Sequence, residues 1–122
     1  MSARVALTIA GSDPSGGAGI QADLKTFSAL GVYGTAVVTA LTAQNTRGVQ
    51  GVHLTPPDFV AQQLDVLVDD VRLDAVKIGM LGTARIAEAV GRFLHREDPP
   101  VVVLDPVTVS YTHLTLPTIL RV

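Results

Sequence analysis

Two hydrophobic periods alternate along the chain. Val5 to Ala10 is a continuous apolar run that reads as a strand. Ile20, Leu24 and Phe27 then recur at i, i+4 and i+7, one face of a helix over Ile20 to Leu30, with Gly31 as its C-terminal stop. Thr35 to Leu41 reads as a second strand, and Gly48 to His53 as a short extra one. Thr55-Pro56-Pro57-Asp58 opens a second helix. The threonine caps it, the prolines fit its first turn, and the acid completes a pattern like a capping box. Val60, Leu64, Leu67 and Val68 form that helix's apolar face. Ala75 to Met80 is a third strand. Thr83 to His95 is a third helix, with Ile86, Val90, Phe93 and Leu94 inward. Val101 to Leu104 is a fourth strand, ending at Asp105-Pro106.

Strands separated by helices of this length imply βαβ units, right-handed crossovers and a parallel sheet, hence an α/β fold. Ligands of such sheets lie beyond the carboxyl ends of the strands. Those ends are Gly11 to Asp13, Gln44-Asn45, Gly79 to Leu81 and Asp105 to Val107, four segments expected to converge on one edge. Composition agrees: in 122 residues, 48% are hydrophobic and 16% charged, which suits one domain with a buried sheet and argues against disorder. A net charge of −2 with scattered Lys and Arg gives no footprint for nucleic acid. Without cysteine there is no disulfide, thiolate nucleophile or Cys-based metal site. No signal peptide or membrane-length apolar run stands in the sequence, so the cytoplasm is the expected compartment.

The first strand and helix are joined by Gly11-Ser12-Asp13-Pro14-Ser15-Gly16-Gly17-Ala18-Gly19. A glycine-rich turn at a helix N-terminus offers backbone N–H groups to a small polar or anionic ligand. It is not a P-loop, because Gly17 and Ala18 stand where Lys and Ser/Thr are needed. A dinucleotide fingerprint can be read from Gly17, Gly19 and Ala22. Its ribose-binding acid is missing, since no acidic residue lies between Asp23 and Asp58. A mobile turn without a ligand is the competing reading, against which four glycines and a proline in nine residues weigh as a costly way merely to turn a corner.

Five further residues carry candidate chemistry. Asp23 falls on or beside the apolar face of the first helix, either favouring the helix dipole or aiming a carboxylate over the glycine loop. Gln44 offers a donor and an acceptor to an amino-bearing heteroaromatic ring, or caps the turn with Asn45. Met80 lies against an aromatic ligand or in the core. Asp105 holds Mg²⁺ through water or caps the turn before Pro106. Lys77, inside a strand, reads as structural. His53, His95 and His113 lack metal-ligand spacing and read as surface residues.

The spellings T-I-A-G-S-D-P-S-G-G-A-G-I-Q-A-D-L-K-T-F, T-A-L-T-A-Q-N-T, V-K-I-G-M-L and V-V-V-L-D-P-V together resemble the N-terminal part of bacterial hydroxymethylpyrimidine/phosphomethylpyrimidine kinases. These are the thiamine-biosynthesis members of the ribokinase-like superfamily. The resemblance implies a three-layer αβα fold with a mostly parallel, doubly wound sheet, of which residues 1–107 make the N-terminal half. It implies ATP- and Mg²⁺-dependent phosphorylation of 4-amino-5-hydroxymethyl-2-methylpyrimidine and then of its monophosphate. By the same resemblance Gly11, Asp23, Gln44 and Val107 line the pyrimidine pocket, with Gln44 on the aminopyrimidine edge and Met80 on the ring. Asp105 lies near Mg²⁺ and the phosphates. The family's catalytic base, anion hole and nucleotide pocket belong to its C-terminal half, so no catalytic residue is assigned here. A small-molecule partner, no nucleic acid or membrane, and a homodimer of the full-length protein complete the expectation.

After Val107 the spelling departs from the family. Residues 108–122 have no helical face and resemble translated adapter read-through at the ends of truncated gene models. This tail is expected to be non-native, and the 122-residue polypeptide poorly soluble and inactive alone, with its fourth strand a bare sheet edge. Two other readings compete: a pyridoxal-type vitamin kinase and a non-catalytic pyrimidine-binding module.

Overall fold

A computed structural model describes residues 3–105. The elements in chain order are β1 (Val5–Ala10), α1 (Gly19–Ala29), β2 (Tyr33–Val38), β3 (Ala40–Asn45), β4 (Gly48–Leu54), α2 (Pro57–Asp70), β5 (Ala75–Ile78), α3 (Ala84–Glu97) and β6 (Val101–Leu104). Four strands form a parallel sheet in the order β2-β1-β5-β6. The expected α/β layering is present. Alternation along the strands turns Leu7, Ile9, Val76 and Ile78 to one face, where they meet Val60 and Leu64 of α2 and Ile86, Val90 and Phe93 of α3 in a single buried cluster. Emptying one such position, as in Leu64→Ala, removes about 2–5 kcal/mol. α1 covers the other face over β1 and β2. There Gly34 leaves room for Leu24 and Phe27, since a Cβ on it would stand 2.8 Å from Leu24 Cδ2.

The expected second strand, Thr35 to Leu41, is in fact two. β2 ends at Val38, and the fully buried Thr39 turns the chain out of the parallel sheet. Its N–H still donates to Ala10 O (2.9 Å), its carbonyl accepts from Thr55 N (2.9 Å), and its hydroxyl donates to Met80 O (2.8 Å). From Ala40 the chain pairs antiparallel with β4 as a two-stranded ribbon standing off the sheet. Apolar residues continue through the break, so hydrophobicity alone does not reveal that the pairing partner has changed.

Helix ends follow local chemistry in one case and not in another. Thr83 caps α3, its hydroxyl accepting from Ile86 N at 3.1 Å. Thr55 does not cap α2. Pro56 holds the N-cap position and the Thr55 hydroxyl donates to Val38 O (3.0 Å), tying the ribbon's exit to the end of β2. α1 has no fully buried residue, although Ile20, Leu24 and Phe27 are all half-buried. β6 lies at one edge of the described sheet, with Val101, Val102 and Val103 exposed by 50, 42 and 52%.

Candidate functional site

The carboxyl ends of β1 and β5, the N-terminal turn of α1, the ribbon and the end of β6 surround one cavity of about 410 Å³. This is within the range of small-molecule sites, about 300–1,000 Å³. Gly11, Asp23, Gln44, Met80 and Asp105 all line it. Val107, the remaining sequence candidate, and the tail from Thr108 lie outside the described residues. Gln44 does not reach the cavity from the end of a parallel strand, as its spelling suggested. It comes from the ribbon, where Thr42, Gln44, Val49 and Val52 form one wall.

The glycine-rich turn is built around Asp13, which is buried (3% exposed). Its carboxylate accepts from Ser15 N (2.9 Å), Ser15 Oγ (2.6 Å) and Gly17 N (3.0 Å), while its own N–H donates to Gln21 Oε1 (2.8 Å). The Ser15 hydroxyl, with help from the backbone N–H groups, holds the Asp13 carboxyl below its usual range despite the opposing effect of burial. Two N–H groups of the turn, those of Ser15 and Gly17, are therefore already occupied by a carboxylate. The turn is a braced wall rather than a phosphate cradle. Gly19 is required where the turn enters α1: its φ is +59°, and a Cβ there would stand 2.3 Å from Gly11 O. Gly11 O in turn accepts from Ile20 N at 2.9 Å. Met80 lies over Gly11, its Cε 2.9 Å from where a Cβ would be, so the backbone of β1 and a thioether form one apolar surface.

Lys77 is the residue whose part the sequence reading missed. Its ammonium donates to both Asp23 oxygens at 3.0 Å and lies 3.8 Å from Asp105 Oδ2. Asp23 also accepts from the buried Thr8 hydroxyl (2.6 Å). Asp23 sits beyond the first turn of α1 and is engaged by Lys77 and Thr8 rather than by the helix dipole alone. Gly79 leaves space for this arrangement, since a Cβ there would be 3.4 Å from Lys77 Nζ and 2.9 Å from Ala10 Cβ. A signal was available. A lysine in a short strand of a two-face-covered parallel sheet must have a partner, and Thr8 stands beside it in register.

Asp105 follows β6, its N–H donating to Ile78 O (2.9 Å) and its carboxylate half-exposed at 45%. No three acidic or imidazole side chains converge as a metal site among the described residues. Although it faces the Lys77 ammonium at 3.8 Å, the Asp105 carboxylate stays accessible, which suits a hydrated Mg²⁺ held chiefly by phosphate oxygens. His53 and His95 are exposed, as expected; His113 lies outside the described residues. Among the described residues no helix is long and apolar enough to cross a membrane.

Comparison with known proteins gives a consistent answer. A family model described as phosphomethylpyrimidine kinase matches residues 13–117, extending into the stretch after Val107. The hydroxymethylpyrimidine/phosphomethylpyrimidine kinase of Escherichia coli K12 is 65% identical over 105 residues, covering 86% of this chain and 40% of the relative. The crystal structure of phosphomethylpyrimidine kinase from Clostridium difficile 630 superposes with a TM-score of 0.82 at 49% identity, covering 85% of this chain and 45% of that one. Pyridoxal kinase from Staphylococcus aureus, in complex with an ATP analogue and pyridoxal, gives a TM-score of 0.87 at 36% identity, covering 98% and 46%. The chain thus spans less than half the length of each of these relatives.

Proposed function

The chain belongs to the phosphomethylpyrimidine kinase family, and from that premise we propose that it forms the acceptor-binding part of an ATP-dependent kinase acting on 4-amino-5-hydroxymethyl-2-methylpyrimidine and its monophosphate in thiamine biosynthesis. The observation that carries this reading is the single cavity on which Gly11, Asp23, Gln44, Met80 and Asp105 meet from five separate segments. Its walls divide the work. Met80, Gly11, Val49 and Val52 offer an apolar slot for a flat ring, Gln44 a polar edge, and the Lys77–Asp23–Asp105 group a charged end. Val107 is proposed to complete the ring-binding wall.

Phosphoryl transfer depends on positioning and charge stabilisation more than on covalent chemistry. Residues of this chain hold the acceptor: the slot fixes the ring plane and Gln44 its rotation, so the hydroxymethyl group points to the charged end. Asp105 would hold Mg²⁺ through water, and the metal would supply neutralisation of phosphate charge. Lys77, fixed between two carboxylates, keeps Asp23 and Asp105 at set positions. The nucleotide pocket, anion hole and catalytic base are assigned to the part of the family beyond this segment, and the full-length protein is proposed to be a cytoplasmic homodimer.

The test is a chimera in which residues 1–105 replace the matching segment of the Escherichia coli kinase. We expect ATP-dependent phosphorylation of the pyrimidine, and a loss of about tenfold or more in affinity on Gln44→Ala. A folded chimera that does not bind the pyrimidine would overturn the reading. Pyridoxal is the second acceptor to compare, because the pyridoxal kinase fold matches at a TM-score of 0.87; preference for it in the same assay would move the chain to that branch.

A further inference from the structure

The ribbon wall contains a proton-counting constraint. Thr42 Oγ1 lies 2.8 Å from the carbonyl oxygen of Ser12 and 3.0 Å from Gln44 Oε1, and the Thr42 N–H donates to Ser12 Oγ at 3.1 Å. A hydroxyl has one proton to give. It cannot donate to both oxygens. The Ser12 carbonyl belongs to the backbone and can only accept, whereas a glutamine amide can turn end for end about its last bond. One arrangement satisfies both contacts: the hydroxyl donates to Ser12 O and accepts from Gln44 Nε2. The amide oxygen is then left for the cavity that Thr42 and Gln44 both line.

We propose that Thr42 is a positioning residue that fixes the Gln44 amide with its oxygen toward the cavity, so that the site selects rings bearing an exocyclic amino group over rings bearing an oxygen at that position. The amino N–H donates to Gln44 Oε1. A ring oxygen in its place faces a second acceptor, and correcting the mismatch breaks the contact with Thr42. This rests on the reading of the cavity as an aminopyrimidine site and adds to it the group that sets its polarity.

The test is calorimetric affinity, on the 122-residue chain and on the chimera, for the 4-amino pyrimidine, its 4-oxo analogue and the analogue with hydrogen at that position. Where the two proteins differ, the chimera decides, because it supplies the rest of the site. Thr42→Val keeps the shape and β-branching of the side chain and removes the hydroxyl. It is expected to weaken the amino ligand about fivefold to tenfold, the worth of one neutral hydrogen bond, and to tighten the oxo analogue. The hydrogen analogue should stay within about twofold. Thr42→Ser should restore the amino preference, and in a Gln44→Ala background Thr42→Val should have no further effect on that preference. Equal weakening of all three ligands, or effects that add fully in the Gln44→Ala background, would overturn the proposal by assigning Thr42 a role only in bracing Ser12. Failure of the folded, unsubstituted chimera to bind any of the three would overturn the aminopyrimidine reading, and the proposal with it.

Discussion

Three glycines separate a close approach from a merely unusual backbone. At Gly19 a methyl group would lie 2.3 Å from Gly11 O, with φ at +59°. An ordinary carbon–oxygen contact is about 3.2 Å, so Gly19→Ala must open the turn by about 0.9 Å, enough to break the Ile20 N–H bond to that same carbonyl. The left-handed backbone adds about 1–2 kcal/mol and the lost hydrogen bond about 1 kcal/mol, giving about 2–3 kcal/mol in all. Gly31 has a similar φ of +75° but nothing within 4 Å of the added carbon, so Gly31→Ala should cost about 1 kcal/mol. At Gly17 the nearest atom is Asp13 Oδ2 at 3.8 Å, and Gly17→Ala should fall within about 0.5 kcal/mol of the parent. Urea midpoints and slopes of the three chimeras provide the stabilities. Because Gly11 and Gly19 both line the cavity, only Gly19→Ala should also weaken pyrimidine binding. If Gly31→Ala costs as much as Gly19→Ala, the clash with Gly11 O has no energetic weight and the steric argument fails.

Two shorter predictions concern charge. Lys77→Met strands the Asp23 carboxylate, whose side chain is 17% exposed. A fully buried orphan costs about 3–5 kcal/mol, and this partial exposure lowers the expected loss to about 2 kcal/mol. Adding Asp23→Asn should recover part of that loss, and strictly additive effects in the double mutant would show that the pair is not coupled. The Asp13 carboxyl is held below the usual carboxylate range in the folded chain, so its stabilising effect is present above that range and is lost as the pH falls through the lowered value. Asp13→Asn should therefore destabilise at neutral pH, with the gap closing in acid; a gap independent of pH would indicate that the charge of Asp13 is irrelevant to the turn.

The parallel layers were readable because their signals are local and repeated. Val5 to Ala10 and Val101 to Leu104 match their strands to the residue, and the third helix, expected from Thr83, begins at Ala84 with Thr83 as its cap. The convergence of Gly11, Met80 and Asp105 followed from topology alone, since strands of a parallel sheet end on the same edge. The ribbon was not readable in this way. Ala40 and Leu41 continue the apolar run of β2. Only the new partner, β4, makes them part of a different sheet. Thr55 carried a capping signature yet is used as a donor to Val38, a tertiary demand that local pattern cannot show. Lys77 was undervalued for a similar reason. Its partners are 54 residues away on Asp23 and on the far end of β6.

The placement of β1 between β2 and β5 has a consequence for how the site comes into being. β1 can find β2 early, across a short helical crossover. Its other neighbour must return from much further along the chain, the Val5 N–H closing on Asp74 across 69 residues. Closing a flexible segment of that length costs on the order of 4 kcal/mol in chain entropy before any contact offsets it. Lys77 and Met80 arrive only with that late strand. The cavity at the carboxyl edge of the sheet thus lacks its Lys77 and Met80 walls until that long-range pairing forms, and a ligand that fits it would act as a report that β5 has docked.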